Sequence, residues 1–243
     1  MKKLYEKSEI WFAVAWIILY VVGSSTADSI SAELGVEKSV TLLFQAVLFV
    51  TALGFITKNS LTGYYGLCKG RSPAKKFLYY IPLVIIASVN IWFGVRMNLS
   101  AGETACYVGS MLLVGFLEEL IFRGFLFKAM SRDNVRTALI VSAVTFGIGH
   151  IVNLFNGSGA DLVSNLCQVI YAVAIGFLFV TIFYRGGSLW PCIITHSILN
   201  SLSVFSNETA AVRYLIPVSA ALTLISLAYC LVLTKTLPCP GDR

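Results

Sequence analysis

The chain has 243 residues, of which 57% are hydrophobic and only 12% are charged. A soluble domain carries about 25% charged residues, so this composition excludes an ordinary soluble protein and indicates a polytopic membrane protein. The formal net charge of +6 does not indicate a nucleic-acid partner, because the basic residues are spread over separate short loops. We therefore expect an all-α membrane helical bundle that forms a single domain, residues 1–243.

Eight apolar stretches are long enough to cross a bilayer as helices, which takes about 17–25 residues. They lie at residues 10–30, 39–57, 77–95, 105–127, 137–156, 162–184, 188–205 and 212–234. The first stretch is the weakest, because its apolar run is short and small polar residues follow it. A cleaved signal peptide is the alternative for residues 1–30, and a retained helix is favoured because Ile30 resumes the apolar run.

The positions of lysine and arginine predict that both termini lie in the cytoplasm. Fourteen of the 18 basic residues precede the first stretch, occupy alternate loops or follow the last stretch. The opposite side of the bundle has three basic and six acidic residues: Lys38, Arg96, Arg213, Asp28, Glu33, Glu37, Glu103, Asp161 and Glu208. Because cytoplasmic loops are enriched in lysine and arginine, this alternation supports eight spans.

Six polar or ionisable side chains stand out in mid-span, where charged residues are rare and usually functional. They are Glu118, Glu119 and Arg123 in the fourth stretch, His150 in the fifth, and His196 and Asn200 in the seventh. At the helical rise per residue, Glu118, His150 and His196 lie about 15 to 21 Å from the basic ends of their helices. Because three separate helices bring polar groups to a similar depth, the sequence predicts a shared polar cavity.

The spacing within the fourth stretch separates its two glutamates. Glu119 and Arg123 are four residues apart on one helical face, and a structural ion pair that neutralises both charges is the favoured interpretation. Glu118 lies about 100° from Glu119 round the helix, so we expect it to have a different role. A carboxylate without a local partner suits a general base or acid.

Two further pairs have the same spacing of four residues. Phe146 can pack on His150 and orient its imidazole, and His196 and Asn200 can face one cavity. Either histidine could instead be a structural residue that hydrogen-bonds a neighbouring helix. A site is favoured because both histidines of the chain share the depth of a spare glutamate. Other amide residues show no such pattern and are expected to be structural: Asn90, Asn165 and Gln168.

Three short motifs, EELIFR, FGIGH and HSILN, fit the patterns EExxxR, FxxxH and HxxxN. In this order, on three helices, they resemble the CPBP family. This is the family of CAAX-processing and bacteriocin-processing intramembrane proteases, also called the Abi or type II CAAX prenyl endopeptidase family. Each motif alone is weak, whereas the three in this order are specific. The resemblance covers residues 105–205, which are the expected catalytic core.

The resemblance implies hydrolysis of a peptide bond within the membrane. Glu118, aided by His150, would activate a water molecule. His196 and Asn200 would stabilise the oxyanion of the reaction. The residues expected to support the site are Glu119, Arg123 and Phe146.

A metal ion is the alternative chemistry for this site. Members of the family are often described as metalloproteases, and Glu118, His150 and His196 are acceptable zinc ligands. However, the chain has no HExxH motif, and Glu118 would have to be ligand and base at once. A site without a cofactor is therefore favoured, with zinc as the alternative.

The resemblance also bounds the substrate and the location. The substrate would be a membrane-associated peptide or protein: a CAAX-type tail, a peptide or bacteriocin precursor, or a membrane-anchored protein. The short loops resemble bacterial members, so we expect an integral protein of the bacterial plasma membrane, surrounded by lipid, that acts in peptide maturation or bacteriocin self-immunity. One alternative is a membrane peptide-binding or immunity protein that does not cut its ligand. A proton-coupled transporter is less favoured, because the chain has no internal repeat.

Overall fold

The computed structural model describes residues 2–155 and 161–239 of the chain. Within these ranges the regular structure is helical, with one isolated antiparallel bridge between Val95 and Ser206. The prediction of an all-α fold is confirmed. Two positions used in the sequence predictions lie outside the described residues. They are residue 156, at the end of the fifth apolar stretch, and Arg243, one of the basic residues that predict the topology.

Eleven α-helices lie in the described ranges. In chain order these are α1 (Lys2–Lys7), α2 (Glu9–Glu33), α3 (Ser39–Lys58), α4 (Ile81–Ala87), α5 (Ala101–Glu119), α6 (Lys128–Met130), α7 (Val135–Gly149), α8 (Leu162–Gly186), α9 (Trp190–Leu202), α10 (Glu208–Arg213) and α11 (Leu215–Thr236). A π-helix, Leu120–Phe127, joins α5 to α6 without a break. The 3-10 helices are Ala74–Tyr80, Val89–Ile91, His150–Leu154 and Ser203–Phe205.

Six helical segments of the described chain are long and apolar enough to cross a membrane. They are Glu9–Glu33, Ser39–Lys58, Ala101–Met130, Val135–Leu154, Leu162–Gly186 and Leu215–Thr236. Several such helices in one chain make this an integral membrane protein, as the composition predicts.

The other two predicted spans are shorter than expected, so the count of eight is not confirmed. In the third stretch, Leu78, Tyr79 and Tyr80 have positive φ angles. A right-handed helix does not allow such angles, so the stretch is interrupted there. The helix α4 that follows has 7 residues and is about 10 Å long. In the seventh stretch, α9 has 13 residues and covers about 20 Å, less than the hydrocarbon thickness of about 30 Å. Apolar composition alone does not reveal such interruptions.

Polar residues at the ends of the apolar stretches determine where the long helices begin. Ser8 accepts a hydrogen bond from the first turn of α2, and Asn134 does the same for α7. Ser100 and Glu103 form a reciprocal capping box at the start of α5. Asp161 accepts two backbone N–H groups at the start of α8. Each cap satisfies backbone donors that the first helical turn leaves unpaired.

Close packing of α5 against α9 places the mid-membrane residues of these helices next to each other. A Cβ atom added to Gly115 on α5 would lie 2.5 Å from the backbone nitrogen of Ser197 on α9. Glycine therefore permits a backbone contact that a larger residue would prevent. The hydroxyl of Ser197 donates to the carbonyl of Leu112 across this contact at 3.0 Å. His196, next to Ser197, is thereby held beside the turn of α5 that follows Gly115.

Candidate active site

A cavity of about 510 Å³ lies inside the bundle, between α2, α5, α7, α8, α9 and α11. All four residues predicted to be catalytic line it: Glu118, His150, His196 and Asn200. Phe146, one of the predicted supporting residues, also lines the cavity. The tertiary structure therefore brings together the polar groups that the sequence places at similar depth on three helices.

Glu118 has two partners across the cavity, which corrects the expectation of an unpaired carboxylate. The phenol of Tyr20 on α2 donates a hydrogen bond of 2.7 Å to Glu118 Oε1. The Nε2 atom of His196 lies 3.6 Å from Glu118 Oε2. Both partners come from other helices, so the local sequence around Glu118 could not reveal them.

Tyr20 is the residue that the motifs missed. It lies near the middle of α2, outside the part of the chain that carries the recognised motifs, and it is 6% exposed. Tyrosine in membrane helices is enriched at the two interfaces with water. A tyrosine in mid-span was therefore a signal of a buried hydrogen-bonding partner, because its hydroxyl needs one in a low dielectric.

Glu119 and Arg123 form the predicted ion pair and are both fully buried. The guanidinium NH1 of Arg123 lies 3.0 Å from Glu119 Oε1, and both side chains are 0% exposed. The same carboxylate oxygen lies 2.9 Å from His196 Nδ1. The pair thus has a second function that spacing did not predict, because it holds one nitrogen of His196 and directs the other towards Glu118.

Phe146 packs against three of these groups at once. Its ring centroid lies 5.5 Å from that of His150 and 5.5 Å from that of His196, edge to face in both cases. The guanidinium carbon of Arg123 lies 4.0 Å above its centroid, which is a cation–π contact. The predicted packing of Phe146 on His150 is present, and the ring also restricts the imidazole of His196.

Amide residues support the backbone at both ends of the site. Asn165 donates a hydrogen bond of 2.8 Å to the backbone carbonyl of His150, where α7 changes into a 3-10 helix. Asn90 donates one of 2.7 Å to the carbonyl of Leu199, next to Asn200. The sequence gives these residues no chemical role, and their contacts agree with a structural one.

The π-helix begins directly after the two glutamates. Glu118 and Glu119 are the last residues of α5, and Leu120–Phe127 continue the segment with a wider turn. Stretches of π-helix inside α-helices occur frequently at functional sites. Arg123 lies in this wider turn and still meets Glu119.

The arrangement of Glu118, His150 and His196 does not fit a metal site. Among the described residues, no three histidine, cysteine, aspartate or glutamate side chains are grouped so that they could hold a metal ion. His196 has Nδ1 at Glu119 and Nε2 towards Glu118, contacts that a metal-bound histidine can also make, so the grouping of the side chains is the observation that decides. We therefore derive no chemical step through zinc.

Comparison with known families gives a match to the central part of the chain. Residues 100–202 match the model of the family described as type II CAAX prenyl endopeptidase Rce1-like. Neither a curated protein nor a solved structure matches the chain. The matched region contains α5 to α9 and with them the predicted catalytic residues, and Tyr20 lies outside it.

Proposed function

We propose that this protein is an intramembrane endopeptidase, because residues 100–202 match the model of the Rce1-like type II CAAX prenyl endopeptidase family, a family of membrane proteases. It hydrolyses a peptide bond of a membrane-embedded or lipid-associated peptide or protein. The observation that carries the proposal is the convergence of Glu118, His150, His196 and Asn200 on one cavity inside the bundle.

In the proposed reaction, Glu118 is the general base. A water molecule between Glu118 and His150 gives its proton to the Glu118 carboxylate, and its oxygen forms a bond with the carbonyl carbon of the substrate. Tyr20 supports this role, because its hydrogen bond to Oε1 orients the carboxylate. Phe146 keeps the imidazole of His150 at the cavity wall.

His196 and Asn200 stabilise the oxyanion that forms next. The Nε2 nitrogen of a protonated His196 and the side-chain amide of Asn200 donate to the developing negative oxygen. Glu119 supports this assignment, because its contact with Nδ1 leaves Nε2 to face the cavity. The intermediate then collapses, the carbon–nitrogen bond breaks, and the proton held by Glu118 passes to the leaving amine.

The proposed setting follows from the charge distribution. The basic ends of the helices lie in the cytoplasm, so both termini lie on the same side of the membrane. The short loops, which resemble those of bacterial members of the family, support the plasma membrane of a bacterium as the location. The retained α2 is part of this proposal, because it supplies Tyr20 to the site. The proposed partners are membrane lipid and a membrane-associated peptide or protein substrate, with no nucleic acid.

The test is cleavage by the purified protein in lipid vesicles. The probes are a farnesylated CAAX peptide and a single-span membrane peptide, incubated in water enriched in oxygen-18. We expect new fragments whose carboxyl end carries one heavy oxygen, because hydrolysis transfers the oxygen of water to the acyl carbon. Glu118→Gln should abolish this signal, and absence of fragments with every probe would favour a binding protein over a protease.

Two controls make this test specific. Glu103→Gln removes a carboxylate from the same helix and should cleave like the parent, because glutamine also completes a capping box. A chelator addresses the alternative chemistry. We expect cleavage to persist in its presence, and loss that added zinc restores would establish a metalloprotease.

A further inference from the structure

In the part of the chain that the structure describes, the cavity leads towards one end of the bundle. One end of the bundle, which we call the acidic end, consists of the helix termini and connections at residues 28–41, 89–103, 150–155, 161–165 and 203–215. The basic end comprises residues 2–9, 58–76, 128–135, 185–190 and 234–239. The connecting segments that contribute to the cavity wall belong to the acidic end, through Asp28, Lys38, Phe93, Asn153, Ser206 and Asn207. Among the described residues, the basic end contributes none.

Between the site and the basic end lies a packed aromatic cluster. Phe125 is seven residues after Glu118, or about 10 Å further along the helix. Its ring centroid lies 5.0 Å from that of Phe12, 5.7 Å from that of Trp16 and 5.0 Å from that of Tyr65. These four residues are at most 2% exposed, so the cluster closes the route from the basic end to Glu118.

At the acidic end the wall is open and polar. Asp28 and Lys38 form an ion pair of 2.8 Å between α2 and the start of α3, with side chains 26% and 17% exposed. Thr41 also donates a hydrogen bond to Asp28. Beyond Glu118, the charged residues of the cavity wall are therefore at its mouth, where a substrate would enter.

The charge of this end is negative. It carries six acidic residues against three basic ones, whereas the basic end carries most of the lysine and arginine of the chain. Among the described residues, the wall of the cavity itself has two carboxylates, Asp28 and Glu118, and one ammonium group, Lys38, which pairs with Asp28. A cleft with an excess of one charge raises the local concentration of ligands of the opposite charge.

We propose that the cavity is entered from the extracytoplasmic face and that its substrate is a peptide segment with net positive charge on that face. The proposal rests on the proposed function for the cleavage itself. The side of the membrane from which the substrate enters follows from two observations and one rule. The aromatic cluster closes the basic end, the acidic end is open, and the positive-inside rule assigns the basic end to the cytoplasm. A cytoplasmic CAAX tail would meet the closed end of the cavity.

The test uses membrane-impermeant thiol reagents, which do not require catalysis. Ser25→Cys introduces a thiol in the cavity wall near the acidic end, and Ser131→Cys introduces one in a separate cleft at the basic end. The parent chain, with its own six cysteines, gives the background, and intact mass gives the modification. If Ser25→Cys does not fold, Val152→Cys reports on the same cavity.

In intact cells, we expect a trimethylammonium methanethiosulfonate to modify Ser25→Cys, and Ser131→Cys to react only after the membrane is opened. For each thiol we compare the rate of the cationic reagent with that of its sulfonate counterpart. This rate ratio should be at least about tenfold higher at Ser25→Cys than for free cysteine. Protection of Ser25→Cys in intact cells would overturn the assigned side. A rate ratio of the two reagents equal to that for free cysteine would overturn the assigned charge.

The same labelling in Glu118→Gln separates this proposal from the proposed function. In that variant Ser25→Cys should still be modified in intact cells, whereas the preference for the cationic reagent should fall, because Glu118 supplies the excess negative charge of the cavity wall. Modification that persists with no cleavage by any form of the protein would retain the entry route and remove the protease. If cleavage occurs, a lysine-rich peptide should be cut faster than a glutamate-rich peptide of equal length, and the opposite order would overturn the proposed substrate class.

Discussion

Glu118 and Glu119 are neighbours in the chain and lie in two different environments. Glu118 lines the cavity and meets Tyr20 and His196 from other helices. Glu119 is 0% exposed, with Arg123 and His196 on one of its oxygens. One helical step is enough to separate a carboxylate that can contact substrate from one that can only organise the protein.

The two environments also differ in the free energy needed to bury a charged group. A charge in the low dielectric of the interior requires a partner of opposite charge, and Arg123 supplies it for Glu119. At the cavity wall, Glu118 accepts a hydrogen bond from Tyr20 on one oxygen, and His196 Nε2 lies 3.6 Å from the other. We therefore expect substitutions at Glu118 to affect the reaction and those at Arg123 to affect folding.

The largest expected effect is the loss of cleavage in Glu118→Gln. Glutamine can still accept the hydrogen bond from Tyr20 but cannot take a proton from water, so kcat should fall by about 100- to 10,000-fold. Thermal unfolding in detergent should be unchanged. A variant that loses activity and stability together would contradict the assignment of Glu118 to the reaction alone.

Arg123→Met should give the opposite result at the buried pair. Removing one partner leaves an uncompensated carboxylate, which should lower the free energy of unfolding by about 3–5 kcal/mol. Reversible unfolding in detergent micelles measures this loss. Adding Glu119→Gln to Arg123→Met should recover much of the stability, because no charge then remains unpaired, and a double variant as unstable as the single one would show that packing matters more than charge.

Gly115→Ala tests the helix contact that aligns the two environments. The added methyl group meets the backbone of Ser197, so we expect a loss of about 1–3 kcal/mol from overpacking. Cleavage should also fall, because α9 carries His196. Gly54→Ala is the matched control, since an added Cβ there meets nothing within 4 Å. If Gly54→Ala lost as much stability as Gly115→Ala, the contact with Ser197 would not be the cause of the loss.

Tyr20→Phe should have the smallest effect. It removes one hydrogen bond to a charged group, worth about 1.5–3 kcal/mol, and a fraction of this energy orients Glu118 during the reaction. We expect kcat to fall about tenfold with KM little changed. Tyr107→Phe also alters a phenol at the cavity wall but leaves Glu118 untouched, and equal losses in both variants would deny Tyr20 a specific role.

Much of the site could be predicted because its chemistry is written into short, local patterns. Glu119 and Arg123, Phe146 and His150, and His196 and Asn200 are each four residues apart, and helical geometry alone puts each pair on one face. Depth along the helix is also local, since it depends only on the number of residues from a basic end. For the same reason, long apolar runs predicted the six spanning helices.

The contacts between helices could not be predicted in this way. The bond from Tyr20 to Glu118 joins residues 98 positions apart, and that from His196 to Glu119 joins residues 77 positions apart. No periodicity in the chain relates such positions. The short α4 and α9 were also missed, because an apolar composition suits an interrupted segment in a bundle as well as a continuous span.

The sequence by itself therefore determined that the chain is a helical membrane protein and which polar side chains share a depth. Composition and helical spacing are properties of single segments, and they survive any arrangement of those segments. Only the tertiary structure decided that Glu118 is held by Tyr20 and His196, that Glu119 holds His196, and that the cavity leads to the acidic end. These facts depend on how helices pack against each other, which close contacts such as Gly115 against Ser197 establish.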